Sequence, residues 1–255
     1  MPEFVADIGN SRIKCGECLC ESLGRTAVLS LDDPADWVRQ IDSWITTSES
    51  AWTLAGSNPD ARDRLAIWLK SRGRHVHLIE AAYQIPIQVD VAEPDKVGID
   101  RLLNALAARR SDRATIIISA GSAVTVDLVD AAGTFRGGAI MPGYRLMARA
   151  LNDYTARLPL LEGFAGEIGL PARDTVTAMM AGISHAVHGG IERMVRELNV
   201  KFTDARIVLA GGDAELLDDL SFDFEQAGQF LTLEGLRRVS EHAGAVRRAP
   251  LRDSH

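Results

Sequence analysis

The sequence predicts an α/β protein built from two similar lobes. Three observations carry this reading. Short strands and amphipathic helices alternate over roughly the first hundred residues, the same pattern restarts at about residue 115, and the two openings match when Gly9 is laid on Gly121, an offset of 112 residues. No low-complexity linker interrupts the 255 residues, so the lobes are expected at 1–114 and 115–255, with the boundary near Asp112 to Thr115.

The elements follow in order. The apolar runs FVADI, RIKCGE and TAVLSL, separated by Gly and Ser, read as a meander over residues 3–30. Trp37, Ile41 and Ile45 keep helical spacing over Asp36 to Thr46. AWTLAGS is a strand that ends at Gly56-Ser57-Asn58-Pro59, ARDRLAIWLKSRG an amphipathic helix stopped by Gly73, and HVHLIE a further strand. In the second half TIIISAGSAVTVDLVDAAGTFRGGAI repeats strand, Gly turn, strand, turn at Ala132-Gly133, strand. The last third is helical over about 143–157, 174–198, 213–219 and 233–246, around one strand, ARIVLAGG.

Composition narrows the function. With 28 Lys and Arg against 35 Asp and Glu the net charge is -7, and no basic stripe offsets it, which excludes nucleic acid as the expected main partner. No run approaches the roughly 18 apolar residues of a membrane span, and the N-terminus lacks a secretory pattern, so no membrane partner and a cytoplasmic location are expected. Cys15, Cys18 and Cys20 crowd together without a nearby His, which fits reduced thiols on a hairpin better than a zinc site.

Four segments carry chemistry. In Asp7-Ile8-Gly9-Asn10-Ser11-Arg12-Ile13-Lys14 a strand-end carboxylate can hold magnesium, Gly9 with Asn10 and Ser11 can approach phosphates, and Lys14 can neutralise charge; Asn-Ser is also ordinary chemistry for a tight turn. Ser119 to Asp127 repeats the hairpin with Gly121, Ser122 and Thr125. Gly98-Ile99-Asp100-Arg101 opens a helix where Asp100 suits the macrodipole or, beside a cleft, accepts a hydroxyl proton while Arg101 orients an anionic group. Gly211-Gly212-Asp213 closes a strand, leaving bare backbone for a flat base or simply making a βα turn.

The order of these segments resembles the type III pantothenate kinase family, of the acetate and sugar kinase/Hsp70/actin superfamily, over most of the chain. Asp7, Gly9, Asn10 and Lys14 match the family's opening, with Ser11 standing for Thr; Gly98, Asp100, Arg101, Asn104 and Ala105 match its second motif. Gly121, Ala123, Thr125, Asp127, Gly137, Gly138, Ile140, Pro142 and Gly143 match its strand pair and the Gly-Gly run beyond it. Asp174-Thr175 and Gly211-Gly212 match two later motifs. The resemblance implies two ribonuclease-H-like (actin-like ATPase) lobes with a nucleotide cleft between them. It also implies transfer of the ATP γ-phosphoryl to the primary hydroxyl of pantothenate, the first step towards coenzyme A. On this basis Asp100 is the expected base and Gly98, Ile99, Arg101 and Thr175 line the pantothenate site. Asp7, Gly9, Asn10, Ser11, Lys14, Gly121 and Ser122 hold phosphates and magnesium, and Gly211 with Gly212 takes the adenine side. The resemblance further implies a homodimer and, for many members, potassium or ammonium.

Two departures stand out. Ser119 occupies the place of the family's aspartate for the monovalent cation, and a neutral hydroxyl does not replace that charge. No Tyr stands near Val91, where members often contact substrate with one. The competing readings are another hydroxylated acceptor on the same fold and a nucleotide-binding accessory protein without kinase activity. His185 and His188 are expected at a core edge or dimer interface, and Met179, Met180, Ile183 and Val187 are expected to pack on another helix, plausibly of a partner subunit.

Overall fold

The computed structural model describes residues 4–44, 50–164 and 168–248. In chain order the strands are β1 (Phe4–Ile8), β2 (Ile13–Cys18), β3 (Leu23–Leu29), β4 (Ala51–Gly56), β5 (His75–Leu78), β6 (Gln88–Val89), β7 (Thr115–Ala120), β8 (Ala123–Val129), β9 (Thr134–Pro142), β10 (Arg206–Ala210) and β11 (Glu225–Gly228). The helices are α1 (Pro34–Ile41), α2 (Pro59–Ser71), α3 (Ile99–Ala108), α4 (Tyr144–Asp153), α5 (Thr175–Lys201) and α6 (Leu231–Arg248). They fall into two compact units: residues up to 87, 92–107 and from Phe230 onward form the first, and 88–91 with 108–229 the second. The chain crosses near the expected boundary but returns at Phe230, a crossing that a division into 1–114 and 115–255 does not contain. The reason is that α6 packs on β1, β2 and β4 of the first sheet.

In the first unit the sheet runs β3-β2-β1-β4-β5, with β1 to β3 an antiparallel meander and β4 and β5 parallel to β1. Side chains alternate across a strand, and β1 shows what that does. Phe4, Ala6 and Ile8 enter a core with Trp37, Ile41, Trp52, Leu54, Leu65 and Leu69, where α1 and α2 lie. Val5 and Asp7 take the opposite face, the α6 side: a side chain at Gly16 would meet both Val5 and Leu233, and Ser240 of α6 donates to Thr53 at 3.1 Å. At Gly235, α6 passes so close to Leu103 of α3 that any side chain would strike its backbone.

Sequence chemistry explains the helix starts. Asp33 caps α1 by accepting from the Ala35 N–H at 2.9 Å with Pro34 in the first turn, and Asn58 caps α2 from the Ala61 N–H at 3.1 Å with Pro59 next. The helix expected over Asp36 to Thr46 therefore starts earlier, at the capped proline, and gives way to a 3-10 turn, Asp42–Trp44. Ile45 lies outside the described residues.

The second unit repeats the topology. Its sheet runs β11-β10-β7-β8-β9-β6, so β7, β8 and β9 form the meander and β10 and β11 lie parallel to β7. Ile116, Ile118, Ala120, Val124, Val126 and Leu128 enter a core with Tyr144 and Ala148 of α4 and Ile183, Val187, Ile191 and Val195 of α5. The α5 stripe expected to face another helix, plausibly a partner's, is thus partly consumed within its own unit: Ile183 and Val187 belong to this core and Met179 is buried. The helix expected at 213–219 is a 3-10 turn, Ala214–Leu217. Strands β6 and β11 were not expected, because two and four residues are too short to show a period of two.

Candidate active site

In the first unit the expected residues converge around the end of β1. Asp7 pairs with Lys14 across the β1–β2 hairpin and with Ala55 on β4. Burial pushes the Asp7 carboxyl up to about 6; the Lys14 charge pulls it back, and the Asp100 charge adds to the rise. Asp100 is thus within electrostatic reach of Asp7. Asp100 sits in the first turn of α3 with its carboxylate folded back towards Gly98, so that a side chain at Gly98 would crowd Asp100 Oδ1 at 2.6 Å. The Arg101 and Leu102 N–H groups both donate to the Gly98 carbonyl, at 3.1 and 3.3 Å, which fixes Gly98, Ile99 and Arg101 as the helix start.

The turn beyond β1 is tighter than its sequence implied. The Gly9 N–H donates to the Arg12 carbonyl at 3.1 Å, so it is occupied within the hairpin, and the groups the turn exposes are Asn10 and Ser11. Asn58, which sequence reasoning passed over, extends the same place: its N–H reaches the Ile8 carbonyl at 3.4 Å. A side chain at Gly56 would collide with that carbonyl. The signal was available in Gly56-Ser57-Asn58, a strand-end glycine two residues before a cap.

In the second unit three turns gather at the end of β7. The Gly121 N–H donates to the Ala123 carbonyl at 3.1 Å and leaves Ser122 at the tip. Gly143, ahead of α4, donates to the Ser122 carbonyl at 3.0 Å, and a side chain there would strike the Gly121 carbonyl. Gly211 has φ +110, a region open to glycine, and any Cβ would meet Ala120 backbone. The Asp213 N–H closes the group on the Ala120 carbonyl at 3.1 Å. Ser119 stands one residue earlier on β7, between Thr125 and Ala210.

Comparison with known proteins decides the family. The family model described as type III pantothenate kinase matches residues 3–197. The chain belongs to the type III pantothenate kinase family. Type III pantothenate kinases of Aromatoleum aromaticum and Alkalilimnicola ehrlichii are each 32% identical, over 95% and 96% of this chain and 99% and 100% of theirs. That of Rhodopirellula baltica is 43% identical, but over 53% of this chain and half of its own length. Among solved structures, a protein described as a Baf family transcriptional activator from Campylobacter jejuni superposes with a TM-score of 0.62 at 19% identity, covering 95% of this chain and 99% of that one. MreB5 of Spiroplasma citri bound to AMPPNP superposes at 0.51 with 11% identity, covering 96% and 97%. These two likenesses show the fold alone.

Within this pantothenate kinase family member, the remaining expected residues are more scattered. Thr175 lies exposed at the start of α5, directly after Asp174, which caps the helix by accepting from the Thr177 N–H at 2.9 Å. Gly212 is exposed beside Gly211. His188 is held at a core edge, Nδ1 on the Ser184 carbonyl at 2.8 Å and Nε2 2.6 Å from Asp219, while exposed His185 meets the Ala181 carbonyl at 2.8 Å. Burial raises the Cys15 thiol, and burial outweighs the pull of Arg237 to push Cys18 up to about 12, which makes both poor nucleophiles.

Magnesium fits the donor set around Asp7. A carboxylate whose ionisation is opposed by burial and by a second carboxylate gains from a cation, and magnesium is commonly held by one or two carboxylates together with substrate phosphates. Asp7 would be its protein ligand. At Ser119 the flanking side chains on the neighbouring strands are Thr125 and Ala210, and neither brings a charge.

Proposed function

We propose that this chain phosphorylates pantothenate with ATP, giving 4'-phosphopantothenate and ADP. The observation that supports the reading is Asp7, paired with Lys14 beside the Gly9 turn, with the Asp100 charge within electrostatic reach of it. In this chemistry the pantothenate hydroxyl gives its proton to Asp100 as its oxygen bonds to the γ-phosphorus. The bond from that phosphorus to the β–γ bridging oxygen breaks, and ADP leaves with the electron pair. Gly98, Ile99 and Arg101 hold the acceptor at the start of α3, with Arg101 facing its carboxylate, and Thr175 contributes from α5. Asn10, Ser11, Lys14 and Ser122 are assigned to phosphates, and Gly211 with Gly212 to the adenine side. Bound magnesium supplies neutralisation of phosphate charge.

The chain acts in the cytoplasm as a homodimer and works without potassium or ammonium, because Ser119 carries no charge. The domain division we propose follows the two sheets, with α6 belonging to the first. Purified protein given magnesium, ATP and pantothenate should release ADP and phosphopantothenate. No product, with or without potassium, defeats the reading, and Asp100→Asn with full activity defeats the assignment of the base. Ser119 also favours a second reading, a nucleotide-binding accessory protein; stabilisation by MgATP without turnover on any hydroxylated acceptor would select it.

A further inference from the structure

Among the turns gathered at the end of β7 is an ion pair that no assigned role uses. Arg145, the second residue of α4, reaches Asp213, with Nη1 3.1 Å from Oδ1. The two ends differ sharply in environment: the Asp213 side chain is 6% exposed and the Arg145 side chain 69%. The second carboxylate oxygen, Oδ2, is buried with no hydrogen-bond partner among the described residues. Such an orphan acceptor is costly to keep and calls for a donor that the folded chain does not supply.

The cation is equally out of place. An arginine in the first turn opposes the helix macrodipole, and α4 has neither an acidic residue in that turn nor a side-chain cap, since Gly143 is the N-cap. Here a buried carboxylate, one residue after the open Gly212 backbone, tethers an exposed guanidinium two residues after Gly143, which bonds the Ser122 carbonyl.

We propose that Arg145 and Asp213 are one nucleotide-positioning pair. The guanidinium donates to a phosphate oxygen, and buried Asp213 holds it in place through Oδ1. The proposal rests on the kinase reading for its kinetic arm only, because nucleotide binding is measured without an acceptor.

Arg145→Gln should raise KM for ATP about tenfold or more, the scale of a lost charge-assisted hydrogen bond, with kcat and the KM for pantothenate within about twofold. It should also abolish most of the thermal stabilisation by MgADP, read as the Tm shift relative to the variant's own nucleotide-free Tm. Arg145→Lys should recover part of the affinity, and Arg149→Gln, one turn along the same helix, should change nothing. Asp213→Ala, which frees the guanidinium from its tether, should raise the KM for ATP by a similar factor. If Asp213→Ala does not fold, the Arg145 variants alone decide. An unchanged ATP KM in Arg145→Gln, or equal rises in both KM values, overturns the pair. A wild type that ignores pantothenate yet shows Arg145-dependent stabilisation by MgADP overturns the acceptor and keeps the pair.

Discussion

Asp7 and Ser119 hold the same place in two sheets of the same topology. Each is the next-to-last residue of the strand that joins the meander to the parallel strands, Asp7 between Lys14 and Ala55, Ser119 between Thr125 and Ala210. Both point away from the core of their unit, since their neighbours Ile8 and Ala120 point into it. The repeat therefore carries a carboxylate at this position in one copy and a hydroxyl in the other.

That difference gives the first prediction. Wild-type turnover should be the same in potassium, sodium or a bulky organic cation. Ser119→Asp places a carboxylate on the face that also carries buried Asp127, so without a cation it should destabilise the fold by about 1–2 kcal/mol. Potassium should restore that loss and raise the rate. A wild type stimulated severalfold by potassium would show that a ligand other than residue 119 holds the ion.

Asp7 gives the second. Its carboxyl is raised to about 6 against an ordinary value of 3.8, mainly by burial, so its ionised form opposes folding. A raised folded value means the favourable contribution is complete below pH 3.8 and disappears as pH rises through 6. In magnesium-free buffer at pH 7.5, Asp7→Asn should be more stable than wild type, by up to about 3 kcal/mol and less where water reaches the part-exposed residue. The gain should shrink as pH falls from 6 to 4, while phosphoryl transfer is lost throughout. Unfolding scans across that range check it; a variant less stable at pH 7.5 would mean Lys14 outweighs the burial.

Gly56 and Gly211 give the third. At both, an added Cβ would run into the backbone of the neighbouring strand end, Ile8 in one unit and Ala120 in the other. Relieving that overlap requires strand movement, so each alanine variant should cost roughly 3 kcal/mol. Gly211→Ala should also weaken nucleotide stabilisation, whereas Gly56→Ala should disturb the Asp7 side. Tm with and without MgADP separates the two, and unchanged stability in either variant removes the close approach.

These same glycines show how much the sequence disclosed. The meanders and the match of Gly9 to Gly121 were legible because strand alternation and turn residues are local signals. Gly211-Gly212 was legible as a turn, yet the pairing of Asp213 with Arg145 was not, because 68 residues of chain separate the partners and Arg145 stands in no motif. The return of α6 to the first sheet was also hidden. An amphipathic helix records that it has an apolar face but not which sheet covers it. The Gly9 turn is a related case: a glycine in a phosphate-like turn and a glycine whose N–H closes a hairpin have the same sequence.

The return of α6 gives the last prediction. Arg237 is 5% exposed and donates through Nε and Nη2 to Glu234 at 2.9 and 2.7 Å, with further bonds to Glu241 and to the Cys20 carbonyl at 3.4 Å. Arg238 donates to the Leu106 carbonyl of α3 at 2.9 Å and to Glu234 at 3.2 Å. Burial alone would raise the Glu234 carboxyl, but the two guanidinium groups overcome it and hold it below its ordinary value. A depressed folded value contributes stability above the unfolded pKa and loses it as pH falls through the folded one. Glu234→Gln should therefore cost about 1–3 kcal/mol at pH 7, because it leaves a buried guanidinium short of its charge partner. Wild type and variant should converge as the pH falls from 4.5 through the depressed folded value, where the wild-type carboxyl takes up its proton. Denaturant unfolding at pH 7 and at successively lower pH follows the gap; a gap that persists undiminished through acid would assign the loss to packing rather than to charge.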